Sequence, residues 1–318
     1  MTAPGLLVAT HGHCFDGMAS AALFTHFVRT LDGVAYDAKY RSCGYGPTMS
    51  AVPAEWLVGD KNAILDFRYT ASDKLTWYFD HHRTAFGSTE ERDLALTGDR
   101  VFYDPTYGSC TKLIADVARD RFGVDVGHAD LVAWADRIDA ARFDSAEAAT
   151  DRQNPVLQLA AVVEHHGDGP FLNSIVAKLI DQPLIEVAQS AEIQALYAPI
   201  GQAQAAYVER VRASASVMGR VVLVDLTDRP LDVAAKFIAY ALYPEATYSV
   251  TLSRSKHIKL SVGYNPWSGR AREHDISAIC KRYGGGGHPV VGATTFPLAQ
   301  IERAKEVAQE IVRELDGA

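Results

Sequence analysis

The chain has 318 residues, 48% of them hydrophobic and 22% charged, with a formal net charge of -8. That length accommodates two domains with cores of their own, and the composition is that of a globular chain with no apolar run of membrane-spanning length. The acidic balance argues against a protein that grips long DNA or RNA by neutralising phosphates, so a nucleic-acid partner is expected to be short or held on a local basic patch.

The first strand is expected at Leu6-Leu7-Val8-Ala9-Thr10, running through His11-Gly12-His13-Cys14-Phe15-Asp16-Gly17 into a helix from Ala19. Strand, polar turn and helix in that order make the βα unit of a parallel sheet. The turn is dense in imidazole, thiol and carboxylate; Asp16 would also serve as a helix cap. A second strand, Ala63-Ile64-Leu65, again ends in a carboxylate, Asp66. A third, Leu75 to Phe79, ends in Asp80-His81-His82, and the ends of strands are where open α/β sheets place their ligand crevice. Val101-Phe102-Tyr103 reads as another strand, and Gly108-Ser109-Cys110-Thr111 opens a helix. The apolar run Leu131 to Ala135 suits a helix end, which would set Asp136 and Asp139 one turn apart.

Residues 154–212 have helical periodicity, and 186–212 reads as a connecting helix pair interrupted at Pro199. The pair His165-His166 falls beside turn residues and is read as a helix-end loop. A second α/β unit follows. Its strand at 221–225 leads to a helix at 233–242, a hairpin formed by 248–252 and 259–264, a helix at 275–283, and a final helix at 298–315. The fold class is therefore α/β: a parallel-sheet domain over 1–190, a helical linker over 191–218 and a smaller α/β domain over 219–318.

Between the last two helices lies Gly284-Gly285-Gly286-Gly287-His288. Successive glycines permit a loop whose N–H groups converge on an anion, and His288, Arg254 and Lys256 would add charged donors. A helix C-cap followed by a turn is the plainer alternative.

The four cysteines, Cys14, Cys43, Cys110 and Cys280, have no paired spacing, which fits a reducing cytosol better than a disulfide framework. Met1-Thr2-Ala3-Pro4-Gly5 has no basic segment ahead of an apolar one, so no secretory signal is expected and the location is read as cytoplasmic. Carboxylates and imidazoles without thiolate clusters suit manganese, magnesium, iron or zinc. Two such ions sharing a carboxylate activate water and stabilise a leaving oxygen in phosphoryl transfer.

Asp80-His81-His82 resembles the signature of the DHH phosphoesterases, and Ile279 to Phe296, with its glycine run and His288, resembles the DHHA1 domain that accompanies it. The resemblance spans nearly the whole chain in the family's order. It implies a hydrolase with two Mn²⁺ ions at the strand ends of the first domain and substrate bound against the second. By resemblance, Asp66 would bridge the ions, Asp16, His81 and Asp139 would complete one site, and His11 would help hold the other. Asp80 would orient the histidine pair and His82 would face the phosphate, while Arg254 and Gly285, Gly286, Gly287 with His288 would hold the substrate. Asp139 matches the family's fourth motif better than Asp136. The family's first motif has two aspartates one residue apart; here Cys14 stands in place of the first, with His13 beside it, so either could ligate and favour Zn²⁺ or Fe²⁺.

The implied substrates are short oligoribonucleotides, cut as an oligoribonuclease would cut them, or 3′-phosphoadenosine-type nucleotides. Polyphosphate and cyclic dinucleotides are further family options. A nucleotide sensor weakened at Cys14 is the alternative from another class, and an aminoacyl-editing relative is a weaker one. Neither a long duplex nor a membrane is an expected partner, and a homodimer is compatible with the sequence.

Overall fold

In the computed structural model, which describes residues 3–44, 51–230 and 235–317, the chain divides into two units. The first comprises Met1–Arg142 and Gln153–Tyr197, the second Phe143–Arg152 and Ala198–Ala318.

The first unit is built on β1 (Gly5–His11), α1 (Phe15–Asp32), β2 (Asp37–Cys43), β3 (Lys61–Leu65), β4 (Trp77–Asp80), α2 (Thr89–Ala95), β5 (Val101–Tyr103), α3 (Cys110–Phe122) and α4 (Ala129–Asp139). These five strands form one parallel sheet in the order β2-β1-β3-β4-β5. Leu6 to Ala9, Ala63 to Leu65 and Trp77 to Phe79 are all buried, as continuous apolar strands covered on both faces should be. Helix α1 is buried along Phe15 to Thr25. Alanine, serine and glycine on that stretch let α3, α4 and α7 (Gly169–Asp181) pack closely around it. The order reverses between β1 and β3, so a crevice is expected above the carboxyl ends of those two strands.

After α5 (Ala146–Ala149) come α6 (Pro155–His166), α7, α8 (Leu184–Ala188) and α9 (Ala191–Ser214). The expected helix pair is a short α8 followed by one long helix, with Pro199 inside α9. The second unit's sheet comprises β6 (Ala215–Met218), β7 (Val221–Leu226), β8 (Tyr248–Arg254), β9 (Ile258–Tyr264), β10 (Gly286–His288) and β11 (Val291–Phe296), in the order β10-β11-β9-β8-β7-β6. Only β7 and β8 pair in parallel. Along β7, Val221 and Leu223 face the core beneath α12 (Ile301–Asp316), whereas Val222 and Val224 face Tyr207, Val208 and Val211 of α9. That is the period of two expected of a strand between two layers.

Four expectations need correction. Residues 215–218, placed in the helical linker, form β6, because their amides pair with β7. Segment 143–152, placed in the first domain, belongs to the second unit: the Trp267 indole donates to the Phe143 carbonyl at 2.7 Å and α5 packs on α10 (Ile238–Leu242). The helix expected from 233 has residues 233 and 234 outside the described residues. It is helical only from Ile238, because Phe237 is left-handed at φ 66° and cannot continue a helix from upstream. Helix α11 (Ile276–Lys281) is shorter than the expected 275–283.

Candidate metal centre

The polar residues at the ends of β1, β3 and β4 converge. His11 is the last residue of β1, and Asp16 sits in the first turn of α1. The turn between them closes tightly: the Thr10 hydroxyl donates to the Gly17 carbonyl at 2.6 Å, and a Cβ on Gly17 would lie 2.1 Å from the His11 carbonyl oxygen. Asp16 is 1% exposed. Its carboxylate accepts from the backbone amides of Cys110 at 2.7 Å and Thr111 at 3.0 Å, the first residues of α3. A carboxylate at a helix N-terminus satisfies amides that have no partner within the helix.

Asp66 directly follows β3 and is left-handed at φ 55°, an uncommon state for a residue with a side chain. Its amide donates to the Phe79 carbonyl at 2.9 Å, which ties it to β4. The side chain is 1% exposed, with Oδ2 3.6 Å from His11 Nδ1 and Oδ1 3.4 Å from His81 Nε2 and 3.5 Å from His82 Nδ1. Neither oxygen makes a hydrogen bond of good geometry among the described residues, nor does His81 Nε2. Buried polar atoms are rarely left so.

The tripeptide is ordered by its aspartate. Asp80 is fully buried; its Oδ1 accepts from the amides of His81 (2.7 Å) and His82 (3.0 Å) and from His82 Nδ1 (2.8 Å). The Tyr78 hydroxyl donates to Oδ2 at 3.0 Å. His81 Nδ1 faces the Tyr107 carbonyl at 3.1 Å. A carbonyl can only accept, so Nδ1 carries the hydrogen and Nε2 is the free ligand atom. That Nε2 points at Asp66 (3.4 Å), Asp139 (3.4 Å) and Asp16 (3.8 Å).

Three groups thus have potential ligand atoms within 4.8 Å of one another: His11, Cys14 and Asp66; Asp16, His81 and Asp139; and Asp66, His81 and His82. The electrostatics call for a cation. Burial, with Asp66 and Asp139 nearby, pushes the Asp16 carboxyl well above the usual carboxylate range. Burial also opposes the ionised form of Asp66, but His11, His81 and His82 outweigh it and hold that carboxyl at about 2. Burial lowers His81, yet Asp66, Asp16 and Asp139 raise it to about 10. Burial and the same three carboxylates push the Cys14 thiol well upward. Protons take up the negative charge that a divalent ion would neutralise, so the donor set fits the metal its chemistry implies.

Not every expected residue joins this cluster. His13 is left-handed at φ 53° and turns toward the corner between α6 and α7, with Nδ1 3.1 Å from the Glu164 carbonyl and Nε2 3.6 Å from Asp168. Asp136 accepts from Arg142 at 2.5 Å, while Asp139, one turn on, faces His81. His165 bonds back to the Ala161 carbonyl at 2.8 Å.

The glycine run is not a loop of converging amides. Gly284, at φ 77°, caps α11, with the Gly284 amide donating to the Lys281 carbonyl and that of Gly285 to the Cys280 carbonyl. Gly286 and Gly287 belong to the edge strand β10. At φ 146°, and with a Cβ that would meet the Val291 carbonyl oxygen at 2.3 Å, Gly287 is required by the tight hairpin. Nor do Arg254 and His288 meet. Arg254 pairs with Ile258 at one end of β9, whereas His288 pairs with Val291, which lies opposite Gly263 at the other end. Five residues of strand separate these ends by about 17 Å.

Sequence reading missed the partners made by main chain: the Cys110 and Thr111 amides and the Tyr107 carbonyl. The serine at the start of α3 was the available signal, since Ser109 caps that helix by accepting from Lys112. Tyr78 lies two residues before Asp80 on one strand, and hence on the same face.

No family model matches the sequence, and no curated protein matches it either. Solved structures do match in fold. The pGpG-specific phosphodiesterase PggH from Vibrio cholerae aligns with a TM-score of 0.70 at 18% identity, over 96% of this chain and 98% of that one. The DHH domain of a member of a ribosomal-protein family gives 0.62 at 15% identity, over 98% and 87%. An exonuclease RecJ bound to manganese gives 0.55 at 14% identity, over 97% and 90%. The chain has the fold of the DHH-domain proteins.

Proposed function

We propose that the protein is a divalent-metal-dependent phosphoesterase that hydrolyses short nucleotides, with linear oligoribonucleotides a few residues long as the leading substrate and 3′-phosphoadenosine-type nucleotides as the second. The observation that carries this reading is the buried Asp66 carboxylate, whose oxygens make no hydrogen bond of good geometry among the described residues and turn toward His11 on one side and His81 on the other, inside a ring completed by Asp16 and Asp139. The fold shared with PggH and with manganese-bound RecJ supports it as well.

In this reading His11 and Asp66 hold one ion, Asp16, His81 and Asp139 hold the other, and Asp66 is shared. Manganese is the leading candidate, with Mg²⁺, Zn²⁺ and Fe²⁺ as alternatives. The bound ions would supply positive charge for the phosphoryl oxygens and a water acidified enough to attack phosphorus. The chain's own residues set the geometry. The α3 amides fix Asp16, the Tyr107 carbonyl holds His81 with its Nε2 lone pair inward, and Asp80 clamps His82 through Nδ1. Burial lowers the His82 pKa, but Asp80 and Asp66 raise it on balance. With Nδ1 held by Asp80 and 31% of its side chain exposed, His82 can present Nε2 to a phosphate oxygen and donate to it in its imidazolium form.

The test is hydrolysis of a linear diribonucleotide, a five-residue RNA and 3′-phosphoadenosine-5′-phosphate by protein loaded with Mn²⁺, then after chelation. Release of mononucleotide or phosphate with Mn²⁺ alone, abolished in Asp66→Asn, is the expected outcome. Equal rates before and after chelation would sink the reading.

A further inference from the structure

We infer that Cys14 is a metal ligand, so that the centre pairs a nitrogen–sulfur–oxygen site (His11, Cys14, Asp66) for a borderline ion such as Zn²⁺, Fe²⁺ or Co²⁺ with an oxygen-rich site (Asp16, Asp139, His81) for a harder one. This deepens the dimetal reading above and rests on it.

The three side chains present ligand atoms within 4.8 Å of one another. Asp66, 1% exposed and with no hydrogen bond of good geometry to either oxygen among the described residues, supplies an independent sign that something else fills the space between them. Cys14 occupies the N-cap of α1 with extended backbone (φ -130°, ψ 132°) but makes no capping hydrogen bond. Its sulfur lies near the Gly17 amide but without the cap geometry that the hydroxyls of Ser88, Ser109 and Ser145 reach on their helices.

The other thiols are committed elsewhere. Cys43 points to the Arg41 carbonyl and Cys110 to the Phe79 carbonyl, both buried, and Cys280 lies in the core of the second unit. His13, the other replacement the sequence offers, turns toward Asp168. When the ion binds, the Cys14 S–H bond breaks, sulfur donates its electron pair to the ion and the proton leaves to solvent. A thiolate beside an imidazole draws softer ions than carboxylate and water do, which gives the two halves of the centre different preferences.

Cobalt reports the bond directly, because a thiolate bound to Co²⁺ has a near-ultraviolet charge-transfer band that carboxylate and imidazole ligands lack. Protein stripped with chelator under reducing, oxygen-free conditions is titrated with Co²⁺, with bound cobalt measured per chain. The expected result is two ions per chain and a band that saturates with one of them. Cys14→Ser and Cys14→Asp should lose the band, Cys14→Asp should still bind two ions, and Cys110→Ala should keep the band. In competition, Cys14→Asp should show a lower preference for Zn²⁺ over Mn²⁺ than the parent. Two ions bound without the band, or a band that survives in both Cys14 variants, overturns the inference and leaves the dimetal reading intact. Failure to bind cobalt at all overturns both.

Discussion

Replacing Asp80 tests how the end of β4 is built. Its buried carboxylate accepts four hydrogen bonds, from two backbone amides, one imidazole and one phenol, between 2.7 and 3.0 Å. In Asp80→Ala the two amides and the imidazole lose this partner, while the Tyr78 hydroxyl keeps the Phe67 carbonyl at 3.1 Å. At about 1–3 kcal/mol for each buried donor left unsatisfied, and with water entry relieving some of them, the cost is about 3–5 kcal/mol, the range for breaking a buried charged network. Asp80→Asn keeps an acceptor for the two amides and loses the charge that clamps His82, so about 1–2 kcal/mol is expected. Urea unfolding in chelator, followed by a probe of the first unit such as Trp77 fluorescence, measures both changes without any contribution from bound metal. A cost below about 1 kcal/mol for Asp80→Ala, against the summed donor penalties above, would refute the view that Asp80 holds the histidine pair in place.

Mn²⁺ at about one hundred times its dissociation constant should stabilise the protein over chelated protein by ~2.7 kcal/mol for each site filled. For a unit of this size that is about 5–10 °C in Tm, and an unchanged melting curve would count against a cation site. Gly17→Ala should destabilise, although alanine usually improves a helix by ~1 kcal/mol, because the new Cβ would overlap the His11 carbonyl; a raised Tm would contradict this. The acid edge of stability should contain a contribution from Asp32. Burial opposes its ionisation, but Lys61 and Tyr36 hold its carboxyl below the usual range. A depressed carboxyl stabilises fully above its unfolded pKa of about 3.9, and that stability is lost as pH falls through the folded value. Lys61→Met should therefore flatten the stability profile below about pH 4, by ~1 kcal/mol or less for a pair this close to solvent; an unchanged slope would mean that the pair contributes nothing.

The candidate centre was legible in the sequence because its residues come from ends of apolar strands. His11, Asp66 and the Asp80-His81-His82 triplet each end an apolar run, and in a parallel sheet such ends gather on one edge. Asp139 was separable from Asp136 only by resemblance; in the structure the difference is that Arg142 engages one and His81 faces the other. Backbone partners are announced only indirectly, here by the capping Ser109 that marks where α3 and its free amides begin. Strand β2 escaped notice, since only Tyr40 and Cys43 of its seven residues are buried and an edge strand need show no clear alternation. The glycine run misled for the opposite reason. Four glycines signal an unusual backbone without specifying which one, and here a helix cap and a tight edge hairpin account for Gly284 and Gly287.

The central claim, that Asp66 is shared between two metal ions, is tested most directly by anomalous diffraction from crystals grown with Mn²⁺. Two peaks about 3.5–4 Å apart are expected, one beside His11 and one among Asp16, His81 and Asp139, with an Asp66 oxygen facing each. No peak within reach of Asp66, or a single ion bound away from it, would contradict the account.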